Sequence, residues 1–297
     1  MTNLNLETTP LLSILCITYN HEKYISKAIK SFLEQETSFD FEIVIGEDCS
    51  TDNTLEVILE FQKNHSKIIK IIKSENNIGV TKNFRRTLAA CRGKYIALCE
   101  GDDYWDDPKK IQTQVSFLES NPEYVLTYHD THSIDENNKI TNDLSKKGIN
   151  FDTTKSMLIK APPISTLTTC FRNEIKEIPI EFNDAPVLDI CLWSLLGHHG
   201  SGKYLRSIKP AIYRLHDGGI FSLKKFTEKL RMTAQTYIAL SRYYENQCKK
   251  DICEFFTIRA IDALSMQLKK TNQIKTMLFI VYRIIRGFSF SSDRNEK

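Results

Sequence analysis

Apolar positions in the first 130 residues alternate between two patterns. Residues 11–17, 41–45, 68–72, 95–99 and 124–128 are short, nearly unbroken apolar runs, as expected of strands buried on both faces. Between them, apolar residues recur at helical spacing: Tyr24, Ile25, Ala28, Ile29, Phe32 and Leu33, then Leu55, Ile58 and Leu59, then Val80, Phe84, Leu88 and Cys91. Asn20 reads as the N-cap of the first helix, and Asp107-Pro108 as N-cap and first turn of a helix running to 118. Strand–helix alternation with short connections predicts right-handed crossovers and an α/β fold with a mostly parallel central sheet flanked by helices.

The pattern loosens after residue 130. Residues 131–186 hold a polar stretch at 135–150, a break at Pro162-Pro163 and short β-like runs. An irregular insert of this kind beside an α/β core suits a substrate-binding loop region. Asp189 then opens a helical run, 204–208 and 211–214 read as strands, and amphipathic helices are expected at 223–246, 250–270 and 272–287. This divides the chain into a body, 1–220, with halves 1–130 and 131–220, and a helical appendage, 221–297.

Composition narrows the function classes. The 297 residues carry a net charge of +3, too mild for a nucleic-acid binder. From Lys224 onward, 15 Lys and Arg face 7 Asp and Glu, so the basic charge is concentrated in the helical tail. Ile274, Met277, Leu278, Val281, Ile284 and Ile285 form an apolar face flanked by Lys275, Arg283 and Arg286. That face suits peripheral contact of 272–287 with an anionic membrane, or equally packing on the body or on a partner. Eight cysteines show no C-x-x-C pair, no secretory signal is visible, and no apolar run reaches about 18 residues. The expected location is cytoplasmic, at the inner face of the cell membrane if the tail binds lipid.

The candidate chemistry lies at the ends of the predicted strands. The run 94–99 stops in Glu100-Gly101-Asp102-Asp103, where three carboxylates repel one another unless a cation shares them. A divalent metal held by oxygen ligands is the chemical answer, and a solvated acidic turn is the plain one. Thr18-Tyr19-Asn20 and Glu47-Asp48 follow their own strands in the same way. In α/β sheets ligands bind outside the carboxyl ends of the strands, so three polar clusters there point to one shared nucleotide site.

These segments, in this order, resemble the family 2 glycosyltransferases, inverting enzymes of GT-A fold that act in bacterial polysaccharide and cell-surface glycan assembly. The stretch Leu12 to Asn20 is similar to the family's opening strand and nucleotide-contacting turn. Glu47-Asp48-Cys49-Ser50-Thr51-Asp52-Asn53-Thr54 resembles its Asp-Asp-Gly-Ser-Thr-Asp-x-Thr motif. Asn77-Ile78-Gly79, Gly93-Lys94-Tyr95-Ile96 and Glu100-Gly101-Asp102 resemble the segments leading to and including the Asp-x-Asp motif, and Tyr213 to Gly219 the closing motif. Glu47, Cys49 and Glu100 depart from the family pattern. The two Glu-for-Asp exchanges lengthen the arm by a methylene, and Cys49 stands where Gly would accept a positive φ.

The resemblance implies the following roles. Thr18, Tyr19, Asn20, Glu47 and Asp48 serve the nucleoside, with Tyr19 also readable as strand-end packing. Glu100 faces the ribose, while Asp102 and His216 hold a divalent metal, Mn or Mg, and Asp103 is an additional candidate. Asp189 is the general base or else a helix cap, and Asp184 is the alternative base. The implied reaction moves a sugar from a nucleotide-sugar donor, UDP-linked, to a saccharide or lipid-linked acceptor. Two rivals stay open: a non-catalytic nucleotide-sugar-binding or scaffold protein, and a nucleotidyltransferase. Against the last, no Gly-rich, Lys/Arg-containing phosphate loop follows the first strand of this chain.

Overall fold

The computed structural model describes residues 9–142, 148–175, 177–219, 221 and 224–271. The chain forms two compact units. One comprises Met1–Ile178 with Leu192–Gly219, the other Pro179–Cys191 with Ile220–Lys297.

The first unit opens with β1 (Leu12–Thr18), α1 (Ile25–Leu33), β2 (Phe41–Glu47), α2 (Thr54–Asn64), β3 (Ile69–Lys73), α3 (Val80–Ala90) and β4 (Tyr95–Leu98). All seven residues of β1 are buried, as a central strand covered on both faces requires. Then come α4 (Lys110–Ser120), β5 (Tyr124–Tyr128), β6 (Thr131–Ile134), β7 (Ile140–Asn142), α5 (Lys155–Ile159), a 3-10 turn (Thr166–Thr168) and β8 (Cys170–Arg172). After α6 (Leu188–Leu196) follow β9 (Ser201–Tyr204) and β10 (Ala211–Arg214).

Seven strands form one sheet in the order β3-β2-β1-β4-β8-β5-β9. The pairs among β1 to β4 and the β5–β9 pair are parallel, and β8 runs antiparallel to both of its neighbours. The sheet is thus mostly parallel, as expected, with one inverted strand inside it. β10, β6 and β7 make a separate three-stranded sheet.

Several sequence expectations shift. The strand expected at 204–208 lies earlier, at Ser201–Tyr204; the ladder to β5 ends with Leu205 N–H on Tyr128 O, and Ile208 N–H then turns back onto Leu205 O. The N-cap of α1 is Tyr24, not Asn20. α4 starts after Lys109, while Asp107 Oδ1 accepts the Lys109 N–H just ahead of it at 2.9 Å.

Register at the amino end of the sheet is locked by a buried acid. Glu42 takes the Ser13 hydroxyl at 2.7 Å, the Arg92 N–H at 2.7 Å and Arg92 Nε at 3.0 Å. Ser13 Oγ in turn accepts the Gly93 N–H at 2.8 Å. A Cβ on Gly93 would lie 2.4 Å from Ser13 N, so only glycine lets the chain enter β4 flush against β1.

In the second unit, α7 (Phe226–Asn246) and α8 (Lys250–Thr271) pair through Tyr244 stacked on Phe256 and a Ser241–Thr257 hydroxyl contact of 2.7 Å. Phe182 packs on Tyr243 with ring centroids 5.2 Å apart. Among the described residues no helix is long and apolar enough to cross a membrane. The amphipathic segment 272–287 lies outside the described residues.

Lys110 is fully buried, with its Nζ 2.7 Å from Gln114 Oε1 and 4.0 Å from the centroid of the Trp105 ring. Burial lowers its pKa to about 8. Below that pH the ammonium is charged in both states and carries the desolvation cost. Between about 8 and 10.5 the unfolded chain keeps a proton that the folded chain has lost, so stability rises with pH. We expect denaturant unfolding from pH 7.5 to 10.5 to show this rise, on the order of 3 kcal/mol, in the wild type but not in Lys110→Met. Equal slopes for the two proteins would disprove a buried, titrating Lys110.

Candidate active site

The site forms at the carboxyl ends of β1, β2 and β4 and just beyond β10. Gly101 N–H donates to Ile17 O at 3.0 Å, laying the loop after β4 flat on the end of β1. A Cβ on Gly101 would come within 2.6 Å of Thr18 Oγ1 and 2.9 Å of Ile25 Cδ1, so no larger residue fits. The same loop is stitched to β10, because Tyr104 and Ile212 exchange backbone hydrogen bonds of 3.2 and 2.9 Å. Arg214 N–H then reaches Asp103 Oδ1 at 2.8 Å, and Arg214 Nε reaches Asp102 O at 3.2 Å. This stitching brings the segment holding His216 to the carboxylates.

Asp102 is the centre. Its Oδ2 lies 2.9 Å from His216 Nε2 and 3.7 Å from His21 Nε2, and its buried Oδ1 has no hydrogen-bond partner. The His216 ring packs on Tyr24 at 4.7 Å and stands edge-on to His21 at 5.9 Å. Burial pushes the Asp102 carboxyl up, but the two imidazoles outweigh it and hold the group below the ordinary carboxylate value. Asp103 goes the other way: burial, then repulsion from Asp102 and Glu100, raise it well above that value. The two adjacent carboxyls are thus pushed in opposite directions, Asp102 toward the anionic form and Asp103 toward the neutral one. Burial pulls His21 down from the ordinary imidazole value, against the Asp102 charge that draws it up.

The ligand atoms of His21, Asp102 and His216 lie within 4.8 Å of one another, and so do those of Glu100, Asp102 and Asp103. Asp102 offers one buried oxygen without a partner and a second that faces two imidazole nitrogens, a set that fits a divalent cation, since a buried oxygen costs free energy unless something meets it. Asp103 has one oxygen engaged by Arg214 and suits a structural part better.

Beside the carboxylates lies a pair of interlocked turns. Glu47 folds back so that its carboxylate accepts the Ser50 N–H at 2.7 Å and the Cys49 N–H at 3.2 Å. Cys49 keeps the left-handed conformation that its Gly counterpart would favour, with φ +59. Asp48 accepts the Ile78 and Gly79 N–H groups at the start of α3, at 3.0 and 2.9 Å. A carboxylate has about four lone-pair sites, so a base N–H can still be accepted. Asn20, at φ +56, accepts the Thr51 N–H at 2.8 Å and so ties the two turns together. Thr18 Oγ1 is buried without a partner, and the Tyr19 ring is 39% exposed.

The structure therefore brings together Thr18, Tyr19, Asn20, Glu47, Asp48, Glu100, Asp102, Asp103 and His216. Asp184 and Asp189 belong to the second unit. Asp184 is exposed, and Asp189 sits half-buried in the first turn of α6, where its Oδ1 accepts the Ile190 N–H at 2.9 Å. Sequence reasoning missed His21, Arg86 and Arg214. Arg86 donates to Glu47 O at 2.6 Å and stands 4.0 Å from Asp48. His21 follows Asn20 directly, and that adjacency was the one available signal.

Known proteins bear on this geometry. The sequence profile of glycosyl transferase family 2 matches residues 13–177. An uncharacterized protein of Mycobacterium tuberculosis is 34% identical over 71% of this chain. The chain spans about 60% of that relative's length. A protein of Escherichia coli, WfaP, a UDP-Glc:alpha-D-GlcNAc-diphosphoundecaprenol beta-1,3-glucosyltransferase, is 30% identical over 75% of this chain and 84% of its own. Among solved structures, S. aureus TarS 1-349 in complex with UDP-GlcNAc has a TM-score of 0.56 at 19% identity, covering 84% of this chain and 72% of that one. The Pyrobaculum calidifontis mannosyltransferase PcManGT, in complex with GDP-Man and Mn2+, has a TM-score of 0.59 at 13% identity, covering 97% and 82%. These likenesses identify the fold as the GT-A type.

Gly101 gives the site a direct check. Gly101→Ala should lower unfolding stability by about 1–3 kcal/mol, because Thr18 and Ile25 must both give way. An unchanged melting temperature would show that the loop does not rest on β1 as described.

Proposed function

The chain belongs to glycosyl transferase family 2, and we propose that it transfers a sugar with inversion from a UDP-linked donor to a saccharide or lipid-linked acceptor in cell-surface polysaccharide assembly. The observation that carries this reading is Asp102: an anion at the end of β4, paired with His216 and with one buried oxygen unpartnered, beside the turns expected to hold a nucleoside.

Each residue has a part. Tyr19 covers the base with its exposed ring, Thr18 and Asp48 accept or donate at the base edge, and Glu100 takes the ribose hydroxyls. Asn20 and Glu47 hold the two turns in place. Asp102 and His216 hold the divalent cation, Mn2+ or Mg2+. When bound, the cation supplies positive charge against the diphosphate as it leaves. Asp189 takes the proton of the acceptor hydroxyl on the face opposite the leaving group, with Asp184 as the alternative. Residues 1–130 are the nucleotide half and 131–220 the acceptor half in this reading.

The UDP-linked donor and lipid-linked acceptor are supported by what WfaP is named for, and the metal by the Mn2+ of PcManGT. A lipid-linked acceptor also suits peripheral membrane contact through 272–287 at the inner membrane face, which we propose as this chain's place of action. A decayed, binding-only site is disfavoured because Glu47 and Cys49 keep their turn despite departing from the family pattern.

Two measurements test the reading. UDP at about 100 times its dissociation constant should add roughly 2.7 kcal/mol of stability with Mn2+ present, visible as a thermal shift of several degrees. The shift should vanish with EDTA or in Asp102→Ala, and a full shift in both would remove the metal from the account. Asp189→Ala should abolish sugar transfer while leaving UDP-sugar binding within about threefold, as expected for a group that acts in the transition state. Transfer that survives in Asp189→Ala and is lost in Asp184→Ala would move the base to Asp184.

A further inference from the structure

We infer that His21 is a third metal-binding residue, a nitrogen donor that biases the site toward Mn2+ and related transition ions over Mg2+. This rests on the metal-assisted reading of Asp102 given above.

His21 is mostly buried, yet among the described residues its imidazole makes no hydrogen bond. Nδ1 is buried without a partner, and Nε2 stands 3.7 Å from Asp102 Oδ2, beyond hydrogen-bond reach. A merely structural histidine in such a place would be expected to satisfy at least one ring nitrogen. The residue is nonetheless held firmly, since its backbone N–H donates to Thr54 Oγ1 at 2.7 Å and its ring meets His216 edge-on at 5.9 Å.

The spacing fits one ion. Asp102 Oδ2 is 2.9 Å from His216 Nε2 and 3.7 Å from His21 Nε2. Adjacent ligands about 2.2 Å from an octahedral ion lie roughly 3.1 Å apart, so small rotations bring the three donors onto one coordination face. Two imidazoles and one carboxylate make a nitrogen-rich set. Mg2+ prefers oxygen and retains its waters, whereas imidazole favours first-row transition ions.

The test titrates the metal-free full chain with MnCl2 in saturating UDP, following free Mn2+ by electron paramagnetic resonance, and then competes with MgCl2. The wild type should hold Mn2+ against a large excess of Mg2+. His21→Ala should weaken Mn2+ about tenfold or more while changing Mg2+ little. His21→Asp, which supplies an oxygen donor and answers the question should the alanine variant misfold, should keep metal binding but narrow the preference for Mn2+. An unchanged Mn2+-to-Mg2+ ratio in both variants would overturn the inference, with sugar transfer by the wild type still standing. A wild type that binds Mn2+ with this selectivity but transfers no sugar would overturn the proposed reaction and leave the role of His21 intact.

Discussion

Burying the Asp102 carboxylate is the constraint on which the site depends. A carboxylate out of water costs several kcal/mol unless charge or hydrogen bonds meet it. Here His216, just beyond β10, meets one carboxylate oxygen at 2.9 Å, His21, just beyond β1, stands 3.7 Å from the same oxygen, and the other oxygen is left for a cation. Parallel pairing of β1 with β4 and the absence of a side chain at Gly101 bring the acidic loop under the first helix. Burial and the neighbouring acids push the Asp103 carboxyl toward its neutral form, which eases the repulsion within the cluster.

The departures from the family pattern have local physical consequences. The extra methylene of Glu47 lets its carboxylate curl back onto the Cys49 and Ser50 N–H groups, so it caps its own turn. That capping helps hold Cys49 in a left-handed conformation that costs an L-residue about 1–2 kcal/mol. The turn is therefore kept by hydrogen bonds where a glycine would keep it by conformational freedom. Asp48 is fixed at the same time by the start of α3, which presents a preformed edge to a ligand.

Much of the fold was legible because its strands are buried on both faces. Runs such as 12–18 and 41–47 have little choice but a central sheet, and the helices between them show their apolar stripes. β8 and β9 were not legible, since three residues of Cys170–Arg172 and the polar Ser201–Tyr204 carry no periodic signal. Asn20 looked like a helix cap because its side chain suits one, but its positive φ turns it toward Thr51 instead. Asp102 and His216 could be marked as candidates from their motifs, and the structure places them 2.9 Å apart. His21 could not, because its importance appears only when the strand order brings β1 and β4 side by side.

The central claim is that Asp102 anchors a cation shared with a nucleotide diphosphate. Anomalous diffraction from crystals grown with UDP and Mn2+ tests it most directly. The account predicts a manganese peak about 2.2 Å from an Asp102 oxygen, bridged to the diphosphate, with Asp48 and Tyr19 on the uracil. Ordered UDP with no peak at Asp102, or a peak bound by Glu100 and Asp103 alone, would contradict it.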